Sequence, residues 1–263
     1  MKEPPMEQDS GSFDTLEKIV ARLRAPDGCP WDRSQTHASI KPYLIEEAYE
    51  VLQSLDDENT EKLCEELGDL LLQIMLHAQM ASEAGDFNIK DVIRGISTKL
   101  IRRHPHVFGS SKAANAGEVA LEWEELKQNE RKKGDSLLSS VPRGLPSLSY
   151  SHSIQRRAAG VGFDWKNFEG ILEKLVEELS ELKRANTQQE KVHEFGDVLF
   201  ALVNAARWQG VDLEEALRLA NERFSCRFRY MEETCRVRGI ALRDLSFEEQ
   251  NALWDEAKRN LGD

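Results

Sequence analysis

Residues 44–76, LIEEAYEVLQSLDDENTEKLCEELGDLLLQIML, decide the fold of this chain. Apolar residues recur every three or four positions on both sides of the polar turn DDEN, which is typical of two amphipathic helices joined by a short connection. The first helix carries Glu-Glu-x-x-Glu at 46–50, and the second carries Glu-x-x-Asp at 66–69. The stretch therefore predicts a helical hairpin that concentrates negative charge.

The same pattern returns at residues 175–203, LVEELSELKRANTQQEKVHEFGDVLFALV. Glu178 follows Glu47 by 131 positions, whereas Asp197 follows Asp69 by 128. We expect a tandem duplication in which the turn between the two acidic blocks is three residues shorter in the second copy. The acidic residues of this copy are Glu177, Glu178, Glu181, Glu194 and Asp197.

Helical periodicity dominates elsewhere too, and almost no alternating strand pattern occurs, so we predict an all-α protein. Each copy is expected to form a unit of four or five helices. Small and turn-forming residues between 134 and 147 indicate a linker. We therefore predict a tail at 1–12, a first unit at 13–133 that ends in a helix near 118–132, the linker at 134–147, and a second unit at 148–263.

Composition limits the classes of function. The chain has 263 residues and a net charge of -12, with 47 acidic and 35 basic side chains. This balance argues against a surface that binds a nucleic acid polymer. Four scattered cysteines without CxxC spacing indicate neither a zinc site nor a disulfide framework. With no segment typical of a signal peptide or a membrane span, we expect a cytoplasmic protein.

On a helical wheel, Glu47 and Glu50 lie closest to the apolar face of their helix, while Glu46 points away. Glu178 and Glu181 repeat this arrangement. Closely packed carboxylates repel one another unless cations neutralise them, and oxygen ligands suit Mg²⁺ or Mn²⁺. We expect a metal site in each copy. The ligands predicted for the two sites are Glu178, Glu181, Glu194 and Asp197, and Glu47, Glu50, Glu66 and Asp69.

Two other interpretations of the acidic residues remain. Acidic pairs at helical spacing are often solvated surface, although the repetition of both blocks argues against that. A di-iron centre would require Glu-x-x-His on two helices, and only Glu190 with His193 supplies one. Magnesium or manganese is thus the favoured metal.

Basic residues on later helices can bind phosphate or can simply solubilise the surface. Lys174 lies four residues before Glu178, where it can reach a phosphate or form an ion pair within its helix. The equivalent residue of the first copy is Tyr43, so the two sites should differ in substrate binding. Trp254 is expected either to anchor the last helix or to stack on a nucleobase.

The chain resembles the MazG family of nucleoside triphosphate pyrophosphohydrolases in its two-copy bacterial form. The motifs that carry the resemblance, besides both acidic sets, are GCPWD at 28–32, QTHASIKPYLIEEAYEV at 35–51, RRHPHVF at 102–108 and VGFDW at 161–165. The resemblance implies helical units that associate as homodimers and Mg²⁺-dependent hydrolysis of nucleoside triphosphates to monophosphate and pyrophosphate.

The resemblance also implies that the second copy is catalytic and that the first is more structural or regulatory. It makes Lys174, Arg223, Arg227 and Trp254 the nucleotide contacts. As a mechanism, we expect water activated by metal at Glu178 to attack the α-phosphorus, with Glu177 as a candidate proton acceptor. The alternative is a nucleotide-sensing or protein-binding scaffold with regulatory metal sites, which would release no pyrophosphate.

Overall fold

The computed structural model describes residues 11–110, 115, 119 and 136–262. All regular structure in this part of the chain is helical, without a β-strand, which confirms the all-α prediction. The predicted helix near 118–132 lies outside the described residues except for residue 119, and so does nearly all of the predicted tail. The chain divides into two compact units, Met1–Leu126 and Lys127–Asp263. The predicted domain boundaries stay predictions.

The first unit is built around the hairpin of its two acidic helices, which pack along each other. The helix that follows the hairpin, α5 (Ile89–Arg103), is fixed by Asn88, whose side chain and that of Asp91 form a reciprocal capping box. The described helices of this unit are α1 (Phe13–Arg24), α2 (Pro30–Ser34), α3 (Lys41–Asp56), α4 (Thr60–Ala84), α5 (Ile89–Arg103) and α6 (Pro105–Phe108).

The second unit repeats the hairpin and adds a long helix that pairs with the last one. Four of its helices begin at side-chain caps, on Asn167, Thr187, Asp212 and Ser246. The described helices are α7 (Ser147–Ala159), α8 (Phe168–Arg184), α9 (Gln188–Trp208), α10 (Leu213–Arg238) and α11 (Phe247–Leu261), with a 3₁₀ turn at Leu242–Asp244 before α11.

Helix α7 was not predicted from the sequence, although it packs against α9 and borders the site described below. A signal for it was present, because Tyr150, Ile154 and Ala158 recur at helical spacing. The described part of the predicted linker is also ordered against this unit. Arg157 donates hydrogen bonds to Leu137 O (3.1 Å) and to Ser140, and the side chain of Val141 is buried.

The predicted difference in turn length between the two hairpins is wrong. Three residues connect the helices in each hairpin, at 57–59 and at 185–187. The three additional residues instead extend α3, which continues nine residues past Glu47, whereas α8 continues six residues past Glu178. Asn59 N donates to Ser54 O (3.0 Å), so the chain turns back beside the last turn of α3.

The glycine shared by the two Glu-x-x-Asp blocks does not mark a close helix contact. A Cβ atom added to Gly68 or Gly196 would meet nothing within 4 Å. From the sequence alone, a helix-weakening glycine repeated at this place suggests close approach by another helix or by the ligand. The described residues show no such approach by a helix, and approach by a ligand stays a prediction.

Both hairpins expose an apolar strip on their outer face. Ile45 on α3 is 57% exposed and Val176, its equivalent on α8, is 62% exposed. Such contiguous apolar surface is typical of faces that another protein surface covers. Exposed apolar side chains of the second hairpin include Leu172, Val176, Leu179, Val192, Phe195 and Leu199. None of the described helices is long and apolar enough to cross a membrane.

Candidate metal centre and adjoining cleft

Three carboxylates of the second hairpin converge where α8 faces α9. Glu178 comes from α8, and Glu194 and Asp197 come from α9, with one oxygen of each within 4.8 Å of the others. Helical spacing explains the arrangement, because residues three apart on α9 share a face and that face packs on α8. The structure therefore brings together three of the four predicted ligands.

Two oxygens in this group have no hydrogen-bond partner among the described residues. Glu178 Oε2 and Glu194 Oε2 are both buried and unpaired, and Glu178 as a whole is only 6% exposed. Buried charged oxygens are strongly unfavourable unless a hydrogen bond or a cation compensates them. A hard divalent cation with oxygen ligands fits this donor set.

Lys174 Nζ lies 2.8 Å from Glu178 Oε1 and 3.0 Å from Glu177 Oε1. Its hydrogen bonds with these two carboxylates, that with Glu178 first, raise the pKa of Lys174. Lys174 thus forms the predicted ion pair within its helix and keeps a positive charge at the edge of the carboxylate group. Glu177 itself is 57% exposed.

The remaining acidic candidate, Glu181, lies one turn after Glu178 on α8 and is half-buried. It does not belong to the group of three whose oxygens converge. On the other helix, His193 Nε2 lies 3.3 Å from Asp197 Oδ2, and His193 is exposed. The assignment of Glu181 as a metal ligand therefore stays a prediction, and His193 was not predicted to bind metal.

A cleft of about 790 Å³ opens beside Glu178 and Asp197, between α7, α8, α9 and the loop before α8. This volume lies within the range of small-molecule sites, roughly 300–1,000 Å³. Most of the surface that its lining exposes is apolar, although half of the lining residues are polar or charged. The side chains that border the cleft include Gln155, Phe163, Trp165, Lys174, Ala201 and Asn204.

One ion pair holds the loop that forms the cleft wall. Arg207 on α9 binds Asp164 through both carboxylate oxygens, and Trp208 Nε1 donates to Asp164 Oδ1 (3.1 Å). Although burial acts to raise it, hydrogen bonds from Arg207 and Trp208 hold the pKa of Asp164 below its usual value. The adjacent Trp165 contacts the first turn of α8, where a Cβ on Gly170 would meet its ring at 3.1 Å.

Gln155 on α7 also borders the cleft and was not among the predicted residues. Its Nε2 donates to Phe200 O (2.9 Å), which fixes the orientation of the amide. Its Oε1 is buried and has no hydrogen-bond partner among the described residues. The sequence offered no signal for it, because a glutamine on an unpredicted helix has no distinguishing pattern.

The predicted nucleotide contacts from the later helices do not line this cleft. Trp254 on α11 packs against the core of Met231, Cys235 and Leu253. Arg227 on α10 lies over the Trp254 ring, with its guanidinium carbon 5.8 Å from the ring centre. Arg223 lies one turn earlier on α10. The structure therefore brings Arg227 and Trp254 together, apart from the residues that border the cleft.

The first hairpin has a corresponding group, formed by Glu47 on α3 with Glu66 and Asp69 on α4. Burial, followed by the charges of Asp69 and Glu50, raises the pKa of Glu47. Burial and the charge of Glu50 likewise raise the pKa of Glu66. The charge of the predicted ligand Glu50 thus affects the pKa of Glu47 and Glu66, but Glu50 does not belong to the converging group. Lys62 is the nearest cation, 3.8 Å from Glu66 Oε1.

Comparisons with known proteins agree with this duplicated arrangement. The model of the MazG nucleotide pyrophosphohydrolase domain matches residues 35–108, which contain the first acidic hairpin. The model of phosphoribosyl-ATP pyrophosphohydrolase matches residues 152–224, which contain the second.

Curated relatives match nearly the whole chain. A Thermotoga maritima protein named nucleoside triphosphate pyrophosphohydrolase/pyrophosphatase MazG is 48% identical over 247 residues, which cover 94% of this chain and 95% of that protein. The nucleoside triphosphate pyrophosphohydrolase of Escherichia coli K12 is 45% identical over 255 residues, covering 94% and 97%. Uncharacterized protein YabN of Bacillus subtilis is 46% identical over 97% of this chain and 54% of its own length.

Proposed function

The chain belongs to the MazG family of nucleoside triphosphate pyrophosphohydrolases, and from this premise we propose that its second unit hydrolyses nucleoside triphosphates to nucleoside monophosphate and pyrophosphate. The observation that carries the proposal is the pair of buried, unpartnered oxygens of Glu178 and Glu194 beside a cleft of nucleotide size. A cation site next to an organic-ligand site is what a metal-dependent nucleotide hydrolase requires.

Glu178, Glu194 and Asp197 would hold Mg²⁺, or Mn²⁺ in its place, with Glu181 as a further candidate from the next turn of α8. When bound, the metal supplies charge neutralisation for the phosphates and acidifies a coordinated water. Glu178 and Asp197 border the cleft, so a metal bound by them would lie beside it. Both helices that carry the carboxylates are fixed at their first turn by side-chain caps.

Lys174 and Glu177 provide the remaining polar groups at this end of the cleft. The ammonium group of Lys174 is already drawn to the site by Glu178, so it is placed to offset negative charge on a phosphate. Glu177 is exposed and bonded to Lys174, and we propose it as the acceptor for the proton that the attacking water loses. Catalytic roles are thereby assigned to Glu177 and Glu178.

The nucleoside would lie in the apolar part of the cleft. Trp165 is 40% exposed there and Phe163 is more exposed still, so both rings offer faces on which a base can stack. For Trp254 we favour the anchoring role expected for it, because its ring packs on the α10–α11 core. Arg223 and Arg227 remain candidates for phosphate contact.

Product analysis tests the proposal directly. The full-length protein is incubated with each nucleoside triphosphate and Mg²⁺, and monophosphate, pyrophosphate and orthophosphate are measured. Pyrophosphate together with monophosphate supports the proposal. Orthophosphate alone would indicate a different reaction, and no product with any nucleotide would favour the scaffold alternative.

We further propose that the protein is a cytoplasmic homodimer. The apolar strip around Val176 and Phe195 lies on the face of the hairpin that points away from its own core. Two copies related by a two-fold axis would bury this strip against itself, which is the commonest symmetry of soluble oligomers. Sedimentation analysis of the purified chain measures the stoichiometry.

A further inference from the structure

The first-unit acidic group differs from the second in what stands next to it. Position 73 on α4 corresponds to position 201 on α9, because Glu66 and Asp69 correspond to Glu194 and Asp197 with the same separation of 128 residues. In the second unit this position is Ala201, a small residue that borders the cleft. In the first unit it is Gln73.

The Gln73 side chain is directed at the acidic group. It is 7% exposed, and its Nε2 lies 3.5 Å from Glu47 Oε1. Its Oε1 is buried and has no hydrogen-bond partner in the part of the chain that the structure describes. The amide of Gln73 thus contacts one of the three converging carboxylates, and its buried oxygen lacks a donor. A cation held by the three carboxylates would supply the missing partner once the amide turns its oxygen towards them.

Two other replacements remove features that nucleotide binding would use. Leu76 is buried at the position where Asn204 borders the cleft of the second unit. Tyr43 stands where the second unit has Lys174, and its ring packs edge-on against Trp31 with ring centres 6.0 Å apart. The first group thus keeps the three converging carboxylates but has Gln73, Leu76 and Tyr43 at the positions of Ala201, Asn204 and Lys174 in the second unit.

We propose that Glu47, Glu66 and Asp69, together with the amide oxygen of Gln73, form a divalent-cation site that is closed to nucleotides. The Gln73 side chain fills the place that Ala201 leaves open. Such a site would tie α3 to α4 and stabilise the first unit without catalysing hydrolysis. The proposal rests on the proposed function only in taking the second unit as the one that binds nucleotide.

The test separates the two sites within the full-length protein. In the Glu194→Gln/Asp197→Asn variant, Mn²⁺ binding is measured by the loss of the electron paramagnetic resonance signal of free Mn²⁺. We expect this variant to retain Mn²⁺ binding and to lose it when Glu66→Gln and Asp69→Asn are added. Loss of all Mn²⁺ binding in the first variant, with its helical circular dichroism intact, would overturn the proposal.

Whether the first-unit site excludes nucleotides is tested with a triphosphate analogue that resists cleavage between the α- and β-phosphorus atoms. After subtraction of the Mn²⁺ that the analogue chelates in a protein-free control, we expect the analogue to leave Mn²⁺ binding unchanged in the variant that keeps only the first site. Tightened Mn²⁺ binding there would contradict a closed site. The complementary variant, Glu66→Gln/Asp69→Asn, is expected to bind the analogue with Mn²⁺. If it does not, the proposed function fails, while the cation site of the first unit still stands on the Mn²⁺ measurement.

Gln73→Leu examines the amide itself. Leucine keeps most of the bulk of glutamine but has no oxygen, so Mn²⁺ binding at the first site should weaken several-fold while the site stays closed. Equal Mn²⁺ affinity would remove Gln73 from the ligand set. The matched control is Gln79→Leu, six residues later on α4 and outside the acidic group, which should leave Mn²⁺ affinity unchanged.

Discussion

The two hairpins share their acidic groups but not the surroundings of those groups. In the second unit, Ala201 and Lys174 leave an open cleft with a positive charge at its edge. In the first unit, Gln73 and Tyr43 replace them, and the amide of Gln73 contacts Glu47. Conservation of a metal-binding pattern within a chain therefore does not imply that both copies do the same chemistry, because access to the site depends on residues outside the pattern.

The largest expected effect comes from removing one ligand charge in each unit. Asp197→Asn should lower the rate of nucleoside triphosphate hydrolysis by roughly 100-fold or more, because electrostatic groups at such sites contribute on that scale. Asp69→Asn, its counterpart in the first unit, should retain most of the rate. Pyrophosphate release at saturating Mg²⁺ is the measurement, and equal losses in both variants would show that the units act as one site.

The next largest effect expected is dissociation of the homodimer when a charge is introduced into the outer apolar strip. Val176→Glu places a carboxylate in the middle of the strip of the second hairpin, and we expect it to shift the protein from dimer to monomer in sedimentation analysis. Ile45→Glu makes the same change in the first hairpin. Dissociation in only one of the two variants would show which hairpin makes the dimer contact, and no change in either would contradict the proposed face.

Among the described residues of the first unit, no arginine stands at the position that corresponds to Arg207 of the ion pair behind the cleft wall. Arg207→Met leaves Asp164 partly buried without its ion-pair partner, which should reduce the free energy of unfolding by about 1–3 kcal/mol and raise KM more than it lowers kcat. The corresponding residue is Gln79, so Gln79→Met is the matched control and should change neither constant. Denaturant unfolding and steady-state kinetics provide the readouts.

The smallest effect expected is a gain in stability. Because its pKa is raised in the fold, ionised Glu66 is less favourable in the native state than in the unfolded state. This penalty is absent below the unfolded pKa, grows as pH rises towards the folded pKa, and is complete above it. Glu66→Gln should therefore raise the Tm of the metal-free protein at neutral pH and leave it nearly unchanged well below pH 4.

Exposed Glu46→Gln is the control for this change. It lies outside the converging group, so it should leave Tm nearly constant at both pH values. Addition of Mn²⁺ should make the Tm of the wild-type chain higher than that of Glu66→Gln, because the wild-type chain gains more stability from the cation. A lower Tm for metal-free Glu66→Gln at neutral pH would contradict the assigned direction of the pKa shift.

The sequence predicted the helices and the carboxylates because both depend on local spacing. Glu178, Glu194 and Asp197 repeat with a period that places them on facing sides of two helices, and the structure brings them together. What lies opposite a residue across a helix interface has no such local signature. Gln155 and Gln73 could not be singled out for that reason, and the three-residue difference between the copies was placed in the turn although it extends α3.

The fluorescence of Trp165 should respond to a ligand in the cleft. Its indole borders the cleft, is 40% exposed, and is held on one side by the first turn of α8 at Gly170. A ligand that entered the cleft would exchange water for an aromatic or apolar neighbour on the other side of the ring. The emission of Trp165 would then report occupancy of the second unit alone, even in a protein with five tryptophans, once a Trp165→Phe variant supplies the background.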